Sequence, residues 1–167
     1  MAITPDQIKE LREMTGAGVM DCKRALEATD GDLQKAAKYL AEQGVASAAK
    51  KASRVTAQGL VESYIHAGGR IGVLVEVNCE TDFVARTPEF QGLAREIAMQ
   101  IAAMNPVAVL EDDLPKGAEG SPEQLVLMLQ PYIRDGSKSI QQLVNETIGK
   151  TGENIQIKRF TRFELGD

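Results

Sequence analysis

Apolar residues in the first part of the chain recur with the period of an α-helix. Leu33, Ala36, Ala37 and Leu40 follow the i, i+3, i+4, i+7 spacing that places side chains on one helix face. Thr4-Pro5-Asp6-Gln7 has the residues of a capping box with Pro at the first helical position, so an earlier helix is expected to begin there. We predict three short helices, punctuated by a turn at Gly16-Ala17-Gly18, caps at Asp21 and at Asp30 or Asp32, and an end at Gly44.

The segment that follows carries no apolar stripe. Residues 46–58 are rich in Ala and contain Lys50, Lys51 and Arg54. We therefore predict a linker, helical in part, that divides a 1–45 module from a 59–167 core domain. A nucleic-acid-binding arm is the alternative for these cations, but no aromatic residues are interleaved with them for stacking on bases.

From Gly59 onward the apolar period changes to two, which indicates β-strands. One strand contains Val61 and Ile65, and Gly68-Gly69 after it predicts a hairpin turn. The returning strand alternates, and one of its faces is formed by Ile71, Val73, Val75 and Val77.

A long helix is predicted next, capped by Thr87 and Pro88-Glu89, with an apolar stripe from Phe90 to Met104. Residues 107–120 are expected to form a loop, and a second capping box begins at Ser121. The remaining elements are a helix that carries Ile140 to Ile148 and a strand from Asn154 with a bulge near Arg159-Phe160. This order predicts an α+β fold with a small, largely antiparallel sheet covered by helices.

Composition limits the classes of function. The net charge of -5 and the pI near 5.0 argue against a protein whose whole surface attracts nucleic acid. Residues 1–10 show no apolar run of a signal peptide, and no stretch of the sequence has the roughly 20 apolar residues of a membrane span. We expect a cytoplasmic protein without membrane contact, in which Cys22 and Cys79 are buried, reduced thiols.

No residue pattern points to covalent chemistry. His66 is the single histidine and falls in the hairpin turn, where a solvated side chain is expected. Glu111-Asp112-Asp113 could suggest a metal site or an acid–base pair, but adjacent acids in a loop are usually solvated. We therefore expect a protein that is not an enzyme, has no metal or cofactor, and acts by binding another protein.

Two longer motifs go beyond secondary structure: LREMTGAGVMDCKRAL at residues 11–26 and EVNCETDFVA at residues 76–85. Each resembles a signature of the translation elongation factor Ts family. The ending from Gly152-Glu153-Asn154-Ile155 to Phe163-Glu164-Leu165 is similar to the C-terminal strand of that family. The resemblance covers nearly the whole chain in the same order.

The resemblance implies a fold and a function. The fold would be a ubiquitin-associated-like helical module joined by a linker to an α+β dimerisation domain. The function would be guanine-nucleotide exchange on elongation factor Tu, in which GDP release is accelerated. Arg12, Val19 and Met20 match positions that dock on a helix of the partner's nucleotide-binding domain.

The second motif implies a wedge beside the partner's magnesium and phosphate site. Asp82 and Phe83 match the intruding pair of the family, and Thr81 and Val84 flank it. The local pattern alone gives a different prediction, in which Asp82 caps a helix and Phe83 packs in the core.

Longer family members have a second subdomain and often a coiled-coil insertion, where this chain has only Val107 to Gln130. A compact homodimer is therefore expected, with the second copy replacing the missing subdomain. Two alternatives stay open: a helical protein-interaction adaptor without exchange activity, and a ribosome- or RNA-associated protein suggested by the three linker cations.

Overall fold

The computed structural model describes residues 3–167, so the first two residues of the predicted 1–45 module lie outside it. The N-terminal helices are α1 (Pro5–Thr15), α2 (Val19–Ala28) and α3 (Leu33–Lys51). The elements after them are β1 (Gln58–Ile65), β2 (Ile71–Cys79), α4 (Asp82–Ala85), α5 (Pro88–Met104), α6 (Pro122–Leu125), β3 (Pro131–Tyr132), β4 (Asp135–Ser139), α7 (Ile140–Thr151) and β5 (Gln156–Glu164). The predicted α+β class is confirmed.

The N-terminal caps of α1 and α3 follow the sequence signals, whereas the N-terminal cap of α2 does not. Thr4 and Gln7 form the capping box of α1, and Asp32 caps α3 by accepting the backbone N–H of Lys35. The predicted cap at Asp21 is wrong: Gly18 holds the N-cap position of α2, and Asp21 lies inside the first turn, where it pairs with Arg24. An acidic side chain in the first turn still favours the helix through its dipole.

Helix α3 is longer than predicted. It continues through Gly44 to Lys51, so the predicted end at Gly44 is wrong. The residues after Gly44 are mostly Ala and Lys, which have high helix propensity, and Ala48 packs against the core domain. The first half of the predicted linker is therefore helical, and residues 52–57 connect it to β1 without regular structure.

The described residues form two hydrophobic clusters, and α3 contributes to both. Ala36 is buried in the N-terminal cluster, whereas Ala48 packs on the cluster of the core domain. The N-terminal cluster is small, and its buried members are Leu11, Cys22, Ala25, Leu26 and Ala36.

The core domain is built on an antiparallel sheet in the order β1-β2-β5. Its inner face carries Val73, Val75 and Val77, which are buried in one cluster with the apolar stripe of α5. Only Met104, at the end of that stripe, is exposed. The pairing register shifts by one residue at Lys158, because Arg159 lies opposite Glu76 and Ile157 lies opposite Val77. The predicted bulge is confirmed at this position.

The outer face of the sheet carries exposed apolar residues in the part of the chain that the structure describes. Ile65, Gly72 and Phe163 lie in one cross-strand row, and Leu74 lies in the next row between Ser63 and Thr161. The side chains of Ile65, Leu74 and Phe163 are all more than half exposed.

The segment between α5 and α7 contains structure that the sequence pattern does not reveal. The capping box at Ser121 forms, but its helix is a single turn, and a short hairpin of β3 and β4 follows. A buried glutamine organises it: Gln100 accepts the backbone N–H of Ile133 and donates to the backbone carbonyl of Pro131. Within residues 3–167, no helix is both long and apolar enough to cross a membrane.

Candidate partner-binding site

The first candidate surface is the turn between β2 and α5. Strand β2 ends at Cys79, and the chain passes through Glu80 into the single helical turn of α4. Thr81 is the N-cap of α4, and its Oγ1 accepts the backbone N–H of Val84 at 3.3 Å. Thr87 closes the other side, because its hydroxyl donates to the carbonyl of Val84 at 2.7 Å while it caps α5. Helix α4 is thus held between two side-chain caps.

Side chains of α4 point in opposite directions. Val84 is 4% exposed and Ala85 is 8% exposed, and both belong to the core cluster. Phe83 is 77% exposed, so the prediction from the local pattern that it packs in the core is wrong. Asp82 is the first residue of α4 rather than its cap, and its Oδ2 lies 2.6 Å from a guanidinium nitrogen of Arg86.

The four predicted wedge residues therefore differ in what they present. Asp82 and Phe83 face solvent, and Thr81 holds the cap. Val84 is predicted to contact a partner, but burial in the core removes its side chain from the surface. The side chain of Val84 packs in the core cluster and fixes α4 on the domain, and the side chain of Phe83 points to solvent.

A carboxylate from a distant part of the chain lies beside this turn. Oε1 of Glu153 accepts the backbone N–H groups of Glu80 at 3.1 Å and Thr81 at 2.9 Å, and Oε2 accepts the Thr81 hydroxyl at 2.7 Å. Burial raises the pKa of the Cys79 thiol, and the nearby Glu153 carboxylate adds to the rise. The sequence reasoning did not assign Glu153 to the site, although the Gly152-Glu153-Asn154 motif was a signal that could have drawn attention to it.

The second candidate surface belongs to the N-terminal module. Val19 and Met20, in the first turn of α2, are 50% and 63% exposed, and Met14 on α1 is also exposed. Arg12 is exposed in the last turn of α1. The inward face of α2 holds Cys22, Ala25 and Leu26 instead. The predicted docking residues are thus free of the module's own core.

The two surfaces lie on the outside of different hydrophobic clusters, and α3 connects those clusters. A family model described as Elongation factor TS matches residues 23–119, and one described as UBA/TS-N domain matches residues 3–40. The chain belongs to the elongation factor Ts family. The first match includes the turn at α4, and the second includes Arg12, Val19 and Met20.

Individual relatives extend this similarity over nearly the whole chain. Elongation factor Ts of Heliobacterium modesticaldum is 49% identical over 195 residues, which cover 99% of this chain and 91% of the relative. Elongation factor Ts of Thermoanaerobacter pseudethanolicus is 50% identical over 195 residues, which cover 99% of this chain and 96% of that protein. Elongation factor Ts of Rippkaea orientalis is 48% identical, and 79% of that protein is covered.

This member of the elongation factor Ts family is shorter than the relatives it aligns with. The aligned stretch with the Heliobacterium protein spans 195 positions, whereas this chain has 167 residues. Positions of the relative therefore have no counterpart here.

The residues considered for chemistry lie in a hairpin turn and in a 3-10 turn. His66 lies in the hairpin turn, where its Nδ1 is 3.0 Å from the hydroxyl of Tyr64. Glu111–Asp113 is an exposed 3-10 turn. Across residues 3–167, no group of three or more His, Cys, Asp or Glu side chains is placed to hold a metal ion.

Proposed function

We propose that this protein is a guanine-nucleotide exchange factor that promotes GDP release from elongation factor Tu during translation elongation. The observation that carries the proposal is the exposed ring of Phe83, held on a turn that is capped at both ends. A rigid aromatic side chain loses little conformational entropy on binding, so it is a common interface anchor. Exposure of such a ring costs solvation free energy in the free protein, and burial in a partner recovers it.

The proposed mechanism is displacement rather than covalent catalysis. Mg²⁺ in a nucleotide site requires near-ideal octahedral geometry, so a small shift of a ligand-bearing segment weakens the hold on GDP. Phe83 would supply the wedge, and Asp82 would supply a carboxylate next to the phosphate side. The Asp82–Arg86 pair is exposed and therefore weak, so Asp82 can exchange Arg86 for a donor on the partner.

The module would provide the first contact. Val19 and Met20 offer apolar area and Arg12 offers a charge that can fix orientation. Docking through these residues leaves the turn at α4 free to act on the nucleotide site. The division of the chain into a 1–45 docking module, a 46–58 connection and a 59–167 core domain is part of this proposal.

Exchange also requires a thermodynamic coupling. The factor must bind nucleotide-free elongation factor Tu more tightly than the GDP-loaded form, by the same factor with which it weakens GDP binding. Contacts that exist only in the nucleotide-free complex, such as a buried Phe83, can provide that difference.

We further propose that the working form is a homodimer through the outer face of the sheet. Ile65, Leu74 and Phe163 are exposed on neighbouring rows of that face, and clustered exposed apolar side chains are a feature of interaction sites. Packing of the same face from a second copy would bury both patches in a two-fold arrangement.

The deciding experiment measures release of a labelled GDP from purified elongation factor Tu, with and without this protein and with excess unlabelled nucleotide. We expect substoichiometric amounts to accelerate release. Binding to elongation factor Tu without acceleration would support the adaptor instead. Salt-dependent RNA binding without either effect would support the RNA-associated alternative.

A further inference from the structure

The connection between α7 and β5 reaches the turn that carries Phe83 and exchanges hydrogen bonds with it in both directions. The side chain of Glu153 accepts the backbone N–H groups of Glu80 and Thr81, and the side chain of Glu80 accepts the backbone N–H of Asn154 at 2.7 Å. The pairs are 72 to 74 positions apart in the chain. We propose that Glu153 is a positioning residue of the exchange element, defined here as residues 80–83. The inference deepens the proposed function and rests on it.

The bonds made by Glu153 converge on the residues that orient α4. Its carboxylate makes charge-assisted hydrogen bonds, which are shorter and stronger than neutral ones. One of them fixes the Thr81 hydroxyl as a donor at 2.7 Å, so that the oxygen presents a lone pair to the backbone N–H of Val84. Glu153 therefore fixes both the backbone entering α4 and the rotamer of its cap. Phe83 follows two residues later, so its ring direction depends on the same bonds.

Glu153 is itself held in place. It follows Gly152, which ends α7 with a φ of 74°, a value that favours glycine. It precedes Asn154, which is 3% exposed and whose Nδ2 donates to the carbonyls of Ala52 at 3.4 Å and Arg54 at 2.9 Å. The exchange element is thereby tied both to the end of α7 and to the segment that follows α3.

A direct role of the Glu153 charge on a partner is less consistent with this geometry. The side chain is half-buried, and both of its oxygens are used inside the chain. Loss of the carboxylate would release two N–H groups and one hydroxyl at the surface of the turn, where water can replace it. The fold should therefore survive, while the turn at Phe83 samples more conformations.

The first test compares Glu153→Ala with Glu153→Gln in the GDP-release assay. Glu153→Ala should lower the stimulation about tenfold, the lower end of the losses found when a group that orients functional residues is removed. Glu153→Gln keeps a carbonyl oxygen for the two N–H groups but replaces the acceptor of the Thr81 hydroxyl by an amide NH2 group, so it should lose less stimulation than Glu153→Ala. Equal losses in both variants would show that acceptance of the two backbone N–H groups does not position the turn and would overturn the proposal.

A matched control is available at Glu96. Its carboxylate accepts the Tyr132 hydroxyl at 2.6 Å and pairs with Arg134 at 3.1 Å, without touching the exchange element. Glu96→Ala removes a comparable carboxylate from the same domain and should leave the stimulation unchanged. A tenfold loss in this variant as well would assign the effect of Glu153→Ala to general loosening of the domain.

The second test asks whether Glu153 acts through Phe83. If it does, Glu153→Ala should lower the stimulation no more than about twofold in a Phe83→Ala background, because the group it positions is already gone. A further tenfold loss in the double variant would mean that Glu153 acts elsewhere and would refute the proposal.

The third test does not depend on exchange activity. The backbone N–H of Thr81 should exchange with solvent deuterium at least about tenfold faster in Glu153→Ala than in the wild type, since an opened hydrogen bond exposes the amide. Unchanged protection would refute the positioning role even if elongation factor Tu is the partner. If the wild-type protein fails to accelerate GDP release from elongation factor Tu, the proposed function is refuted. The deuterium-exchange test of the Glu153 hydrogen bonds can still be carried out in that case.

Thr81 supplies a second variant in case Glu153→Ala folds poorly. Thr81→Val preserves the shape but removes the hydroxyl that joins Glu153 to the cap, whereas Thr81→Ser keeps it. We expect a loss of several-fold in the valine variant and near wild-type stimulation in the serine variant. Equal activity of the two would contradict the proposal.

Discussion

Replacement of Phe83 by alanine separates an interface residue from a core residue. The side chain is 77% exposed, and surface substitutions of this kind usually change the free energy of unfolding by no more than about 0.5 kcal/mol. For a chain of this size the melting temperature should then fall by about 1–2 °C. Phe90 is fully buried in the same domain, and Phe90→Ala should instead cost about 3–5 kcal/mol, or roughly 6–20 °C.

Phe83→Ala should have a large effect on GDP exchange although its effect on stability is small. Loss of a central interface anchor typically costs about 2 kcal/mol or more, which corresponds to a decrease of roughly 30-fold in the stimulated rate of GDP release. The assay measures release of labelled GDP and the melting temperature on the same preparation. Leu110→Ala, an equally simple truncation of an exposed apolar residue after α5, is the control and should change neither quantity.

Two results would refute this reasoning. If a folded Phe83→Ala protein accelerates GDP release from elongation factor Tu as strongly as the wild type does, Phe83 is not the wedge. A strong loss of stability would mean that the ring contributes to the core despite its exposure. A further check is reciprocity: the wild type should prefer nucleotide-free elongation factor Tu over the GDP-loaded form, and Phe83→Ala should narrow that preference.

Three other predictions concern the remaining surfaces. Met20→Ala should raise the concentration needed for half-maximal stimulation about tenfold, because burial of a methionine contributes roughly 1.5–3 kcal/mol, while the maximal rate stays the same. Leu74→Glu should convert the proposed dimer into a monomer in light scattering at tens of micromolar, whereas Leu110→Glu, outside the sheet face, should not. Limited proteolysis should cut first within residues 52–57, since neighbouring residues up to Lys51 are helical.

Each of these three predictions would be contradicted by a specific result. A lower maximal rate in Met20→Ala would place Met20 in the exchange step instead of in docking. A wild-type protein that is monomeric under the same conditions would remove the dimer from the proposal. First cleavage within residues 107–120 would contradict the boundary between module and core domain.

The sequence predicted features that depend on neighbouring residues. The capping boxes of α1 and α6, the cap at Thr87 and the alternation of β2 all result from local hydrogen bonds and side-chain periods. The end at Gly44 was mispredicted because tertiary packing of Ala48 outweighs the helix-breaking tendency of one glycine. The short β3–β4 hairpin depends on Gln100, about 30 positions away, so a local pattern could not reveal it.

The site was predicted in the same uneven way. The local pattern predicted a buried Phe83, whereas the wedge implied by the longer motif requires an exposed ring, and the ring is exposed. Val84 could not be separated from Phe83, because the direction of each side chain depends on how α4 sits on the core. Glu153 was missed for a physical reason: its hydrogen bonds join segments 72 positions apart, and distance along the chain carries no information about such contacts.

The length of α3 has a consequence for the strength of partner binding. A continuous helix of 19 residues spans about 28 Å, and because it contributes to both clusters it acts as a rigid spacer between the two proposed contact surfaces. Once the module has bound, the exchange element is presented to the partner at a high effective concentration, and the second contact becomes an intramolecular step. Avidity of this kind depends on matching distances. If the partner changes conformation so that the distance between its two binding sites no longer matches α3, the increase in affinity from the second contact is lost. The fixed length of α3 would therefore favour one conformation of the partner over another.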